Sequence, residues 1–424
     1  MTLKDFFFDF QMPLYFLYRD IESVGLKVDL DQREILDKKY DQLYKEKVSQ
    51  LSINPNSPKQ VAKFLFGDLG IPIRKDTSED TLSALKNNVL VKSNKWNEAI
   101  KYIDLILDAR KIRKTRGTYI LAEPDLDGRM RTFYHLNKET GRTSTRVLDK
   151  PIRHRKFGLP FHNITKHSDI GGDVRSMFVP DEGYVFLEAD QSQAEARIVL
   201  LLAKEYDVLK LFDEIDIHCL TASWIYGGTW EDIKKLPKDE YTKKRQLGKK
   251  ARHAGGYGMG ARRLAQITEV RIKRAEKILE VFHKYSPGIK ENFWAGIQEA
   301  LINNDKCLYT PFGRFRKFYE KWGDKLFKEA YAHIPQSTIA DNTKRCMLEV
   351  KKFYPGLKIC IEAHDGFTSI VRIQELKEIV SLIKSQMELP IDFSKCSLPR
   401  PSIIIPCEFK VGYKNLQEMV DFHV

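Results

Sequence analysis

The chain has 424 residues, 42% hydrophobic and 30% charged, enough for more than one core in a soluble globular protein. Its longest apolar run, Ile198 to Ala203, is far short of the roughly 20 residues that span a bilayer, and Lys4, Asp5 and Asp9 among phenylalanines suit neither a secretory signal nor a transit peptide. A net charge of +13 favours polyanionic partners, with nucleic acid ahead of membrane because no amphipathic anchor is present.

The six cysteines include no C-x-x-C pair, which argues against zinc sites and disulfide frameworks and for free thiols in a cytoplasmic protein. The first 120 residues or so read as helical and charged. Asp31 to Leu51 has a helical pattern that Asn54-Pro55-Asn56-Ser57-Pro58 breaks. Ser57 as N-cap and Pro58 at the first helical position then start a new helix. A further helix through Ala99 to Tyr119 carries Arg110, Lys111, Arg113, Lys114 and Arg116, either a solvated face or a track for phosphates.

From about Leu126 short β-like runs appear. Tyr184 to Ala189 predicts a buried strand ending at Asp190, and a carboxylate at a strand end is placed to hold a hard cation. Ser192 and Glu195 also fit an S-x-x-E capping box, a local role that competes with a functional one for Glu195. Arg245, Lys249, His253 and Tyr257 recur every four residues, so on a helix they form one slanting stripe. Two cations, an imidazole and a phenol in line suit a triphosphate at one end and a base at the other. The glycines of Ala254-Gly255-Gly256-Tyr257-Gly258-Met259-Gly260 weaken the helix end, which lets it bend or approach a ligand closely. Helical periodicity returns over Arg271 to Asn303, interrupted at Ser286-Pro287-Gly288. Lys358 to Ala363 and Phe367 to Val371 read as strands, and Asp-Gly between them predicts a tight hairpin presenting His364 and Asp365. The two aspartates are 175 residues apart, and spacing alone does not join them.

Together these segments resemble the motifs of family A DNA polymerases, the DNA polymerase I type, in the family's order. Asp190-Gln191-Ser192-Gln193-Ala194-Glu195-Ala196-Arg197 is similar to motif A, Arg245 through Tyr257-Gly258 to motif B, and His364-Asp365 to motif C. Around them, Leu69-Gly70-Ile71-Pro72, Thr140-Gly141-Arg142-Thr143-Ser144, Asp216-Ile217-His218 leading into Thr221-Ala222-Ser223-Trp224, Phe312-Gly313-Arg314 and Gln336-Ser337-Thr338-Ile339-Ala340-Asp341 extend the likeness over nearly the whole chain.

The resemblance implies an α+β right hand. A thumb-like helical region would occupy 1–127, a first part of the palm 128–204, helical fingers 205–342, and a second part of the palm with the motif C hairpin 343–424. It implies template-directed DNA synthesis from dNTPs on primer–template DNA. Two Mg2+ ions would be held by Asp190, Asp365 and the Gln191 backbone carbonyl. His218, Arg245 and Lys249 would hold the triphosphate, with His253 facing the nucleotide and Tyr257 and Glu195 closing the sugar pocket. Arg142 and Gln336 would touch the minor groove, His364 the primer end, and Arg110 and Lys114 the phosphate backbone. The expected protein is a monomer, with replication accessory proteins as further partners, no membrane association and no 3′–5′ exonuclease of its own.

Three departures mark a divergent, phage-like branch. Gln191 stands for the family's tyrosine in motif A, Gly366 for the acidic residue after the motif C aspartate, and His253 for Phe or Tyr in the fingers helix. Two other readings stand beside this one. A single-subunit RNA polymerase relative shares the plan, but Glu195 beneath the sugar suits deoxyribose. A catalytically inactive DNA-binding homologue would have little reason to keep Asp190, Asp365, Arg245, Lys249 and Tyr257.

Overall fold

The computed structural model describes residues 3–86, 94–149, 156–164, 166 and 168–423. Near the amino terminus, α1 (Met12–Val24) ends at Gly25, whose φ of 64° suits a residue without a side chain. Asp29 caps α2 (Leu30–Ser49) by accepting the Gln32 N–H at 3.0 Å. Ser57 caps Pro58–Ala62 in the same way, as its sequence predicts. The long helix α3 (Asn94–Thr115) packs along α2, and residues between 51 and 107 share a small core of Val61, Leu65, Leu82, Trp96, Ile103 and Ile106.

The expected thumb-like region, 1–127, does not form one unit. Leu14, Leu17, Tyr18 and Ile21 of α1 are buried in the core of the central sheet. The strand Leu26–Val28 pairs with Arg129–Met130 and with Phe178–Val179. An amphipathic pattern predicts that a helix buries a stripe without saying against what, so the sequence could not assign α1 to the sheet.

Next in the chain come β1 (Tyr184–Gln191), α4 (Ala194–Leu202), α5 (Ile217–Tyr226), α6 (Lys238–Gly256), α7 (Ile272–Tyr285) and the 30-residue α8 (Asp324–Phe353). The hairpin β2 (Lys358–Glu362) and β3 (Gly366–Arg372) follows, then α9 (Leu376–Met387), β4 (Cys407–Gly412) and β5 (Met419–Asp421). The five strands make one antiparallel sheet in the order β2-β3-β1-β4-β5. With neighbours on both edges, β1 reads as a continuous apolar run, and Val185, Phe186, Leu187 and Ala189 are all fully buried. Val185, Leu187 and Ala189 face α8, α9 and α1. Phe186 faces the opposite side with Ile361, Ile370 and Phe178. The period of two therefore puts Asp190 on the Phe186 face, away from the side that α8 and α9 cover.

Helices α5, α6 and α7 pack on one another through Leu247, Ala251, Ala254, Ala275 and Ile278, a core of their own. The expected boundary at 342/343 falls inside α8. Ala330 and Ile334 near its start join the core around α4, whereas Cys346, Met347 and Val350 lie on the sheet. Rather than ending one domain and beginning the next, α8 belongs to both.

Candidate active site

Strand pairing brings the two separated aspartates together. Asp190 on β1 lies opposite Gly366 on β3 and Glu408 on β4, and the Gln191 N–H donates to the Asp365 carbonyl at 2.9 Å. The Ala363 N–H donates to the Gly366 carbonyl at 2.8 Å, so the hairpin loop is His364-Asp365, with His364 at a φ of 60°. The expected Asp-Gly turn is thus shifted by one residue, because Gly366 already belongs to β3. A Cβ at 366 would run into the Ala189 carbonyl oxygen and the Asp190 carboxylate, so this register admits only glycine there. Burial and then the Asp365 charge push the Asp190 pKa up, and burial likewise raises that of Asp365. Two carboxylates that resist ionising side by side fit a divalent cation, which would relieve the repulsion. The Gln191 amide is buried, held by the Thr343 hydroxyl at 2.7 Å and by Asn342 at 2.8 Å. It therefore packs inward beneath the strand end.

Above this floor opens a cleft of about 500 Å³ lined by Asp190, Gln191, Glu195, His218, Arg245, Lys249, His253, Tyr257 and Asp365. The predicted stripe lies on α6, with Tyr257 at its C-cap. Two glycines of this helix serve packing, while Gly256 lines the cleft. A Cβ on Gly248 would strike the His218 carbonyl of α5, and one on Gly255 the ring of Phe282 on α7. Asp216 caps α5 by accepting the His218 and Cys219 N–H groups at 2.8 and 3.1 Å, and its other oxygen takes Arg245 Nε at 2.6 Å. Arg245 is thereby aimed, while Lys249 is exposed and makes no ion pair among the described residues. His218, expected to help hold the triphosphate, lies in the same cleft. Burial, reinforced by Arg245, Arg252 and Lys249, outweighs Asp216 and holds its pKa far below the ordinary imidazole value, so it is neutral.

Glu195 is gripped from two sides, by Arg142 Nη2 at 3.0 Å and Gln336 Nε2 at 3.1 Å. Burial disfavours its charge, but Arg142 and then Tyr257 outweigh burial and keep its pKa below the usual carboxylate range. The Tyr257 hydroxyl lies beside this carboxylate without a well-formed hydrogen bond. The capping box is absent: Gln193, at a φ of 49°, occupies the N-cap of α4 without a side-chain bond, and the Ser192 hydroxyl donates instead to Glu408 at 2.5 Å. Arg142 and Gln336, read as minor-groove contacts, are thus both committed to Glu195. The flanking motifs meet as well. Arg314 forms a buried bidentate pair with Asp341 at 2.8 and 2.7 Å, and Gly141 lies against that guanidinium.

Arg110 is not available for a phosphate track. Its Nε donates to the Pro55 carbonyl at 2.6 Å and its Nη1 to the Thr77 carbonyl, so it ties loops of the amino-terminal helical unit together. Arg116 is likewise paired, with Asp37 and Asp41, whereas Lys114 is exposed. Two cleft residues escaped the sequence reading. Arg252 is buried, donates to the Thr221 hydroxyl at 2.8 Å and lies over the rings of Trp224 and Phe282, and burial lowers its pKa to about 9. Its neighbour His253 carried the four-residue spacing, which hid it. Glu408 lies on a strand that the sequence reading did not find, although the alternation in Cys407-Glu408-Phe409-Lys410-Val411 is the signal that could have found it.

The sequence profile described as DNA polymerase family A matches residues 29–417. The chain belongs to DNA polymerase family A. Among curated relatives it is similar to DNA polymerase I of Streptococcus pneumoniae, 28% identical over 91% of this chain and 44% of that protein. DNA polymerase I of Helicobacter pylori is 27% identical over 84% of this chain and 38% of its own length, and the thermostable enzyme of Thermus aquaticus 26% identical over 89% and 45%. The chain thus spans less than half the length of these relatives. Among solved structures, the POL domain of Pol1 from M. smegmatis, in complex with DNA primer-template and dNTP, superposes with a TM-score of 0.77 at 21% identity, covering 96% of this chain and 70% of that one. The fold is the family's right hand, with the antiparallel sheet as palm.

Proposed function

We propose that the chain carries out template-directed DNA synthesis, adding dNTPs to a primer 3′-hydroxyl. The observation that carries this reading is the cleft itself, with two carboxylates at its floor and a row of cations along the facing helix. Asp190, Asp365 and the Gln191 carbonyl would hold two Mg2+ ions, which would supply activation of the attacking hydroxyl and neutralisation of the departing pyrophosphate. Arg245, oriented by Asp216, and Lys249 bind the triphosphate oxygens, where charge builds on the leaving group. His218, which lines the same cleft, binds the triphosphate beside them. Glu195, fixed by Arg142 and Gln336, and Tyr257 form the wall beneath the sugar. His253, edge-on to Tyr257 at 5.1 Å, faces the base. His364 at the hairpin tip lies near the primer end, and Lys114 is the candidate for backbone phosphate.

Primer extension in Mg2+ with dNTPs or with NTPs tests this directly. Wild type should extend with dNTPs, and Asp190→Asn or Asp365→Asn should abolish extension while leaving primer–template binding largely intact, since phosphate contacts carry most of the affinity. Preferential use of NTPs would favour the RNA polymerase reading, and no incorporation the inactive homologue. Extension by either Asn variant would remove the two-metal assignment.

A further inference from the structure

Beside the hairpin tip lies a second group of metal-binding side chains that the polymerisation chemistry does not use as a set. His162 sits in the single turn Phe161–Asn163, Glu362 ends β2, and His364 is the first residue of the loop. One donor atom from each lies within 4.8 Å of the other two. The His162 and His364 rings meet at 4.6 Å between centroids and 66° between planes.

Glu362 is fully buried, which a glutamate avoids unless its charge is met. Its carboxylate accepts the His364 N–H at 2.7 Å and the Thr143 hydroxyl, both neutral donors. The nearby Lys344 ammonium is buried too, but it donates to the Gly141 carbonyl. No lysine or arginine bonds the Glu362 carboxylate among the described residues. His364 Nδ1 is buried without any hydrogen-bond partner and lies 4.0 Å from Glu362 Oε1. His162 Nε2 is 2.7 Å from the Glu362 backbone carbonyl, which can only accept, so that nitrogen carries the proton. Histidines that bind metal commonly have one ring nitrogen anchored in this way, which fixes the ring and its tautomer.

We propose that His162, Glu362 and His364 bind a zinc ion that ties the motif C hairpin to the 161–163 turn. Two imidazoles and one carboxylate form a mixed nitrogen–oxygen set that leaves a position for water. Mg2+ takes oxygen ligands almost exclusively, so this site and the aspartate pair select different ions. A cation here would answer the charge of Glu362, occupy the orphaned His364 nitrogen, and hold the residue that precedes Asp365.

The test uses the full chain, stripped with chelator and then dialysed against Zn2+ in excess Mg2+, with bound metal measured by mass spectrometry. Wild type should retain one zinc per chain, and Co2+ in its place should give the visible absorption of an imidazole-bound ion. His162→Ala and Glu362→Gln should each weaken zinc binding by at least about tenfold. His162→Gln keeps a donor for the Glu362 carbonyl. Zinc loss in that variant, with melting unchanged from metal-free wild type, isolates ligation from folding. Asp190→Asn should keep its zinc. Failure of wild type to retain zinc overturns the proposal. So does wild-type affinity in both His162 variants, or loss of zinc in Asp190→Asn, which would put the ion at the aspartates. None of these readouts depends on polymerase activity, so the zinc site and the proposed synthesis stand or fall separately.

Discussion

Acid should destabilise this protein through histidines folded away in neutral form. His333, inside α8, is 0% exposed, edge-on to Phe318 at 5.9 Å, with Nδ1 3.3 Å from the Ser337 hydroxyl. Burial, and then Arg316 and Arg314, lower its pKa from 6.5 to about 3. Because the folded value is the lower one, the unfolded chain takes up the proton first. Stability is therefore intact above the unfolded value and falls as pH drops through it towards 3. At pH 5 the difference in proton uptake corresponds to about 2 kcal/mol for this residue alone. Urea unfolding at pH 7 and pH 5 reads it, with His333→Gln as the non-titrating comparison. The variant costs stability at both pH values, but its loss between them should be about 2 kcal/mol smaller than that of wild type. Contributions from His218 and His283, also held neutral by burial, are common to both proteins and cancel. Equal losses in the two proteins would mean that His333 is protonated in the fold, or that α8 opens in mild acid.

Four further outcomes test single assignments. Arg110→Ala should leave the Pro55 and Thr77 carbonyls unpaired and lower stability by about 1–3 kcal/mol without changing the salt dependence of DNA binding. Lys114→Ala should reduce the log–log salt slope by about 0.9 and leave stability alone. The reverse pattern would return Arg110 to the phosphate track. Glu195→Ala should raise ribonucleotide relative to deoxyribonucleotide incorporation, and an unchanged sugar preference would reduce Glu195 to a partner of Arg142 and Gln336. His253→Tyr should relax discrimination against dideoxynucleotides in single-nucleotide incorporation, and no change would mean that the imidazole does not face the nucleotide.

The elements that the sequence made legible are those with a short-range physical cause. Ser57-Pro58 announced a helix start, the apolar run at 184–189 a buried strand, and two β runs around His364-Asp365-Gly366 a hairpin. Each depends on neighbours within a few residues. The assignment of α1 to the sheet and the span of α8 across two cores depend on which surfaces meet, and an amphipathic stripe is silent on that. The capping box shows the converse failure. Ser192-x-x-Glu195 satisfies the local rule, yet Glu408 and Arg142, distant in sequence, offered each side chain a stronger partner than the helix end did.

The glycines make the same point inside the site. From sequence, Gly255 and Gly256 looked like freedom to bend, and Gly366 like a lost acidic side chain. In the fold, Gly248 and Gly255 are where α6 presses closest to α5 and α7, and that contact turns Arg245, Lys249 and His253 towards the cleft. Gly366 lets β3 lie close enough to β1 for the Asp365 carbonyl to accept the Gln191 N–H. A side chain at 366 would push against Asp190, the group that the register exists to place. The carboxylate on the other flank of Asp190 comes from Glu408, on β4, 42 residues beyond Gly366. The acidic character of the floor therefore depends on the pairing of three strands, and motif C, read alone, reports only one of them.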